Sequence, residues 1–183
     1  MKKVKFTSPY GVAQYPHISS PDTKGKYADN KYKTKIVCKI DSPTALAAVE
    51  RIKAAAEDIH GKAGLKKYMP FEIDEDAGTI TFSAKSQYAP LVMDVKGNKV
   101  GKDVRIRGGS TLALAGYLVE FDKGVSFQLH QVRVKSLSDD SFDFEEVEDG
   151  YVYEPSDDAD DSFDAADDGD EDDGATNGSA LDI

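Results

Sequence analysis

From Asp139 to the C-terminus the chain holds 20 acidic residues and no lysine or arginine. Asp, Glu, Ser, Gly and Ala dominate this stretch, with isolated aromatics at Phe142, Phe144, Tyr151, Tyr153 and Phe163. Such a segment cannot bury enough apolar surface to offset the entropy of ordering it, so disorder is expected from about Pro155 onward. Phe142 to Tyr153 is open to packing on the rest of the chain or on a second copy. A folded core is therefore confined to residues 1–138, long enough for one domain, with 139–183 as an acidic tail.

The formal charge of −11 hides a segregation. All 23 Lys and Arg lie at or before Lys135, against 14 acidic residues in 1–138, so that part carries +9 and the tail −20. A basic body and an acidic tail attract each other at low salt. The body's charge is compatible with nucleic acid, though far from histone-like. No apolar run approaches the roughly 20 residues that span a bilayer, and no apolar stretch follows Met1-Lys2-Lys3-Val4-Lys5 as a signal peptide requires. One cysteine, Cys38, cannot form an internal disulfide. A reduced, cytoplasmic setting without membrane contact is the expectation.

One helix is predicted over about 43–60. Ser42 is its N-cap, Pro43 its first residue and Gly61 its stop, with Leu46, Val49, Ile52, Ala56 and Ile59 on the core face. The remainder reads as strand and turn. Lys31 to Ile40 alternates, with Thr34, Ile36, Cys38 and Ile40 inward and Lys33, Lys35, Val37 and Lys39 outward. Thr79 to Gln87 places Ile80 and Phe82 inward. Leu91 to Val95, Val104 to Ile106, Ser110 to Val119 and Val125 to Val134 complete the series, the last after the turn Asp122-Lys123-Gly124. Five or more strands with one inserted helix predict a mainly β fold, an OB-like antiparallel barrel.

The order of short motifs carries a resemblance. Lys5-Phe6-Thr7-Ser8 with Gly11 and Ala13 comes first, then Ser20-Pro21-Asp22, Tyr32-Lys33, Met69-Pro70-Phe71, and Thr81-Phe82 with Lys85 and Tyr88. Val92-Met93-Asp94 with Lys96-Gly97 follows, then Ile106 with Gly108-Gly109-Ser110, Leu118-Val119, Gly124-Val125-Ser126, Gln128-Leu129 and Val132. This series, with the acidic tail, resembles the single-stranded DNA-binding proteins of autographiviruses, short-tailed phages that encode their own replisome. The resemblance covers most of residues 5–135. It implies an OB-fold body with one long helix, a homodimer, strand annealing, and a tail that cooperates with phage DNA polymerase and primase-helicase. Some members carry lysines where this chain has Ala113 and Ala115, and Pro-Tyr where it has Glu120-Phe121. The family's tail tends to end in an aromatic residue, whereas this one ends Leu181-Asp182-Ile183.

Sequence-independent binding of single strands needs cations along the phosphates and flat side chains under unstacked bases. Lys85 and Tyr88 supply both within three positions. Lys3, Lys5, Tyr10 and Tyr15 lie near the N-terminus, Lys31, Lys33 and Lys35 on the outer face of one strand, and Arg105 and Arg107 on either side of Ile106. Phe121 stands where the family has a tyrosine, as a stacking face or as core. Outward lysines also keep strand edges soluble, and tyrosines also pack inward. Tyr27, Tyr32, Tyr68 and Tyr117 are assigned to packing. In the tail, Asp170, Glu171, Asp172 and Asp173 with Leu181, Asp182 and Ile183 are the candidate docking residues, an anionic run followed by an apolar anchor. A solubilising role without a partner is the plainer alternative.

Other chemistries find little support. Gly108-Gly109 lacks the Gly-Lys-Ser/Thr of a phosphate loop and reads as a tight bend. Asp168 to Gly174 fails as a calcium loop, because Asp173 and Ser179 occupy the places of the required Gly and Glu. His17, His60 and His130 are scattered, no nucleophile is paired with a base, and neither metal nor cofactor nor catalysis is expected. The reading is a sequence-independent single-stranded DNA-binding protein of phage replication, recombination and repair, acting in the infected host's cytoplasm. An interaction adaptor with a nucleic-acid-mimicking tail and an RNA chaperone of cold-shock type are the alternatives.

Overall fold

The computed structural model describes residues 2–26 and 28–138; the expectations placed on Tyr27 and on the tail lie outside them. Alternation of large apolar and polar side chains produces eight strands: β1 (Lys3–Thr7), β2 (Gly11–His17), β3 (Tyr32–Lys39), β4 (Phe71–Asp74), β5 (Thr79–Ser86), β6 (Leu91–Met93), β7 (Thr111–Phe121) and β8 (Gly124–Ser136). The long helix α1 (Pro43–His60) lies between β3 and β4 and runs into a short 3-10 helix, Gly61–Lys66.

Five strands close a ring. β7 pairs with β2, β2 with β3, β3 with β5, β5 with β8, and β8 returns to β7. Every pairing of this ring is antiparallel except β5 to β8, which meets through the single parallel pair Lys85–Gln128. This is the closed, mainly β, OB-like barrel with one inserted helix that the patterning predicts. β1 extends the wall by pairing with the second half of β7, β4 lies on β5 and β6 on β8. β1 and β2 are two halves of one bent path along β7, separated by Ser8-Pro9-Tyr10. Pro9 has no N–H for a ladder. Ser8 anchors the bend: its N–H donates to the Leu114 carbonyl and its Oγ accepts from the Leu114 N–H, both at 2.8 Å.

Phe82, Phe127, Ile36, Ile80, Leu112, Leu114, Leu118, Leu129 and Val132 fill the interior. One face of α1 joins the same core through Ala45, Ala48, Val49, Ile52, Ala55 and Ala56. The helix starts and stops where expected. Ser42 Oγ accepts from the Ala45 N–H, and Gly61 takes φ +66°. Leu46, however, is not core: it is 45% exposed. Alanines at 45, 48, 55 and 56 let α1 approach the strands closely, which rotates the buried arc away from Leu46. A second correction concerns Val104 to Ile106, which is an irregular connection rather than a strand. Ile106 is buried and pins it, while Arg105 and Arg107 point outward on either side, as expected. Gly108-Gly109 is a bend, with Gly109 at φ +89° and its N–H donating to the Ala13 carbonyl.

Candidate nucleic-acid interface

Directly paired residues of adjacent strands project from the same face, so the register defines which outer side chains stand side by side. One line of pairs crosses the whole barrel wall: Lys5 faces Tyr117, Tyr117 faces Gln128, Gln128 faces Lys85, Lys85 faces Lys33, and Lys33 faces His17. Six strands at about 4.8 Å spacing make this line about 24 Å long. It runs across the strands and over the closing pair of the barrel.

Two hollows flank it. The larger, about 650 Å³, is lined by Tyr15, His17, Asp22, Lys24, Lys33, Lys35, Tyr68 and Lys85. The other, about 360 Å³, is lined by Lys3, Lys31, Lys85, Glu120, Phe121 and Gln128. Lys85, Ser126 and Phe127 line both, so they form one groove.

Its aromatic rims have local causes. Tyr15 sits at the bulge between Gln14 and His17, is 78% exposed, and adopts φ +47°. A left-handed backbone in a bulky residue, just before Pro16, costs on the order of 1–3 kcal/mol. The surrounding β2–β3 pairing holds it, and the result is a ring displayed to solvent over the groove. Tyr68 is 54% exposed, which corrects its assignment to packing. Its backbone is fixed by bonding to β8: the Val125 N–H donates to the Tyr68 carbonyl at 2.9 Å, and the Tyr68 N–H donates to the Lys123 carbonyl at 3.0 Å. A Cβ on Gly124 would lie 2.1 Å from the Tyr68 carbonyl oxygen, so only glycine permits this approach. The Tyr68 ring meets Phe121 in an edge-type contact, with centroids 5.8 Å apart at 73°. Phe121 is half-buried and lines the groove.

The acids of the groove are committed to protein partners. Asp22 accepts from Lys33 Nζ at 2.7 Å, and Asp29 contacts the same ammonium at 3.2 Å. The Lys33 hydrogen bond holds the Asp22 carboxyl below its ordinary range, and the same bond raises the Lys33 ammonium above its own. Glu120 accepts from the Lys2 backbone N–H at 3.0 Å, which lowers its carboxyl likewise. Cys38 is buried, and burial pushes its thiol up to about 11.

Of the cationic and aromatic residues singled out in the sequence, Lys3, Tyr15, Lys31, Lys33, Lys35, Lys85 and Phe121 line the groove. Lys5 lies on the pairing line but lines an adjoining hollow, and Tyr10 lines the hollow beyond that. Tyr88 stands 75% exposed just past β5 without lining the groove. Arg105 and Arg107 lie on the β6–β7 connection, which Gly109 ties to Ala13 of β2, and line neither hollow. Tyr32 and Tyr117 are half-buried, the latter edge-on to His130 with centroids 4.9 Å apart. Sequence reasoning missed Tyr68, His17, Lys24 and Gln128. Lys66-Lys67-Tyr68 carries the same cation–aromatic signature as Lys85 with Tyr88, and read in that way it points to the groove.

No protein-family model and no curated protein sequence matches the chain. Solved structures do. A single-stranded DNA-binding protein of bacteriophage T7, gp2.5, superposes with a TM-score of 0.63 at 26% identity, over 78% of this chain and 98% of that one. The single-stranded DNA-binding protein of bacteriophage Enc34, in complex with single-stranded DNA, gives 0.56 at 18% identity, over 74% and 88%. A second structure of the Enc34 protein gives 0.54 at 19% identity, over 78% and 86%. The structural neighbours of the chain are thus phage single-stranded DNA-binding proteins, the group its motifs resemble.

Proposed function

We propose that this protein binds single-stranded DNA without sequence preference. The observation that carries the reading is the pairing line from Lys5 through Tyr117, Gln128, Lys85 and Lys33 to His17, flanked by a groove with exposed Tyr15 and Tyr68. Cations neutralise phosphates along it and tyrosines offer faces for unstacked bases, each stacked base contributing about 1–3 kcal/mol. Strand and loop residues line both hollows of the groove and no residue of α1 does, which favours sequence-independent binding over base-edge readout by a helix. The likeness to the T7 and Enc34 proteins supports the same reading.

The finer role follows from the charge segregation and the family resemblance. The protein protects and anneals strands in phage replication, recombination and repair, in the infected host's cytoplasm and as a homodimer. Its tail, with Asp170 to Asp173 and Leu181 to Ile183, docks on phage DNA polymerase and primase-helicase and competes with DNA for the groove.

The chain has nine tyrosines and no tryptophan, so tyrosine fluorescence reports directly on ring stacking. Titration with oligothymidylate quenches it, a duplex of equal length competes poorly, and affinity falls steeply with salt. Removing 139–183 tightens binding at low salt. Equal affinity for single and double strands refutes the single-strand reading; unchanged affinity after truncation refutes competition by the tail. Equal affinity for ribo- and deoxy-oligonucleotides points instead to an RNA chaperone.

A further inference from the structure

Beyond the groove, two hollows follow one another on the outer face of β1, β7 and β8. The first, about 400 Å³, is lined by Lys5, Arg51, Tyr117 and His130, and the second, about 280 Å³, by Tyr10, Ala113 and Arg133. Both include Thr7, Ala115 and Gln131, so they form one trough along β7 and β8. It begins on the pairing line, at Lys5 and Tyr117, and ends beside Lys135, whose Nζ lies 5.6 Å from the Tyr10 ring centroid. Among the described residues no Asp or Glu lines either hollow, whereas Asp22 and Glu120 line the groove.

We propose that this trough carries a second segment of the same bound single strand, with Arg133 and Lys135 at its phosphates and Tyr10 at a base. The inference rests on the single-strand reading and extends it. Arg51 is fixed at the mouth, its guanidinium donating to the Thr7 carbonyl at 3.3 Å and lying 5.1 Å from the Phe6 ring centroid. Ala113 and Ala115 keep the floor low, and their partners across the strand pair are Arg133 and Gln131. The open floor and the cation therefore face each other across one ladder. Tyr10, Tyr117 and His130 add flat rings, which unpaired bases use and an acidic peptide does not need. The path turns at the pairing line: about 24 Å runs across the strands, and about 17 Å more runs along β8 from Gln128 to Arg133.

The test compares two oligothymidylates on the full chain, one of about 5 nucleotides, short enough for the groove alone, and one of about 20. Arg133→Ala with Lys135→Ala weakens the long strand about tenfold at low salt and leaves the short one within about twofold. The salt slope for the long strand falls by about 1.4, two phosphate contacts at about 0.7 each. Lys96→Ala with Lys102→Ala makes the same charge change at residues that line neither hollow and has neither effect. Arg133→Lys with Lys135→Arg keeps both charges and the long-strand affinity, which separates a binding role from a folding defect. An unaffected long strand, or an equal loss on both lengths, overturns the proposal. Tighter binding overturns it as well, since the trough then holds an acidic peptide segment. Failure of the unmodified chain to bind either oligonucleotide refutes the single-strand reading itself.

Discussion

Lys33 lines the groove, yet two carboxylates hold its ammonium, Asp22 at 2.7 Å and Asp29 at 3.2 Å. Asp22→Asn should therefore tighten single-strand binding. The cluster of two acids and one base carries −1; the single substitution brings it to neutral, and adding Asp29→Asn brings it to +1. A phosphate about 4 Å from a freed cation in water gains roughly fivefold in affinity. One recovered contact steepens the salt slope by about 0.7, so the gain shrinks about 2.6-fold between 50 and 200 mM salt. The local fold survives the change, because two backbone bonds of this loop do not involve the carboxylate: Asp22 N–H donates to the Lys31 carbonyl, and Asn30 N–H to the Asp22 carbonyl, both at 2.9 Å. Protonation gives the same release only in acid. A carboxyl held below its unfolded value of 3.8 contributes stability above that value and loses it as pH falls through the lower, folded one. At neutral pH the clamp is closed. The assay is tyrosine quenching by oligothymidylate across a salt series, with a melting curve for each variant. An unaltered slope and unchanged or weaker binding, in a variant that melts like the parent, would refute the reasoning.

Three further outcomes follow from the geometry. Tyr15→Gly relieves the left-handed backbone at the β2 bulge and raises stability or leaves it unchanged by thermal melting, while single-strand binding falls about tenfold or more through the lost stacking face; a variant that binds as well as the parent removes Tyr15 from the site. Gly116→Ala places a Cβ 1.9 Å from the Gln128 carbonyl oxygen, so the β7–β8 bulge must shift and urea unfolding shows a loss of several kcal/mol. A loss below about 1 kcal/mol contradicts the tight approach. Cys38, with its thiol pushed up to about 11 by burial, stays unmodified by a disulfide reagent at pH 8 in the folded protein and reacts once urea is added.

The barrel was legible because its interior obeys a period of two. Ile36, Cys38, Ile80, Phe82, Leu112, Leu114, Phe127 and Leu129 are inward where alternation places them. The caps of α1 were legible for a local reason too, since Ser42, Pro43 and Gly61 act within a turn of themselves. Leu46 was misread because a helix's buried arc depends on what it packs against, and the small face built of Ala45, Ala48, Ala55 and Ala56 wins close contact with the strands. Val104 to Ile106 looked extended, yet one buried side chain, Ile106, suffices to hold an irregular segment in place. In the site, single strands of sequence identified Lys33 and Lys85 as outward. That they stand side by side depends on register, which is set by pairings between residues far apart in the chain. Tyr68 shows the same limit, since its exposure follows from Gly124, which admits its backbone and leaves its ring outside.

The barrel is closed by one parallel pair, Lys85 with Gln128, while every other wall of the ring has at least two. This is its least stitched seam, and both residues face the groove. A ligand lying across them acts as a brace over the joint: the mouth between β5 and β8 stiffens when occupied, and amide exchange there slows more than in the rest of the wall. Holding a strand and holding itself shut become, at this one joint, the same mechanical task.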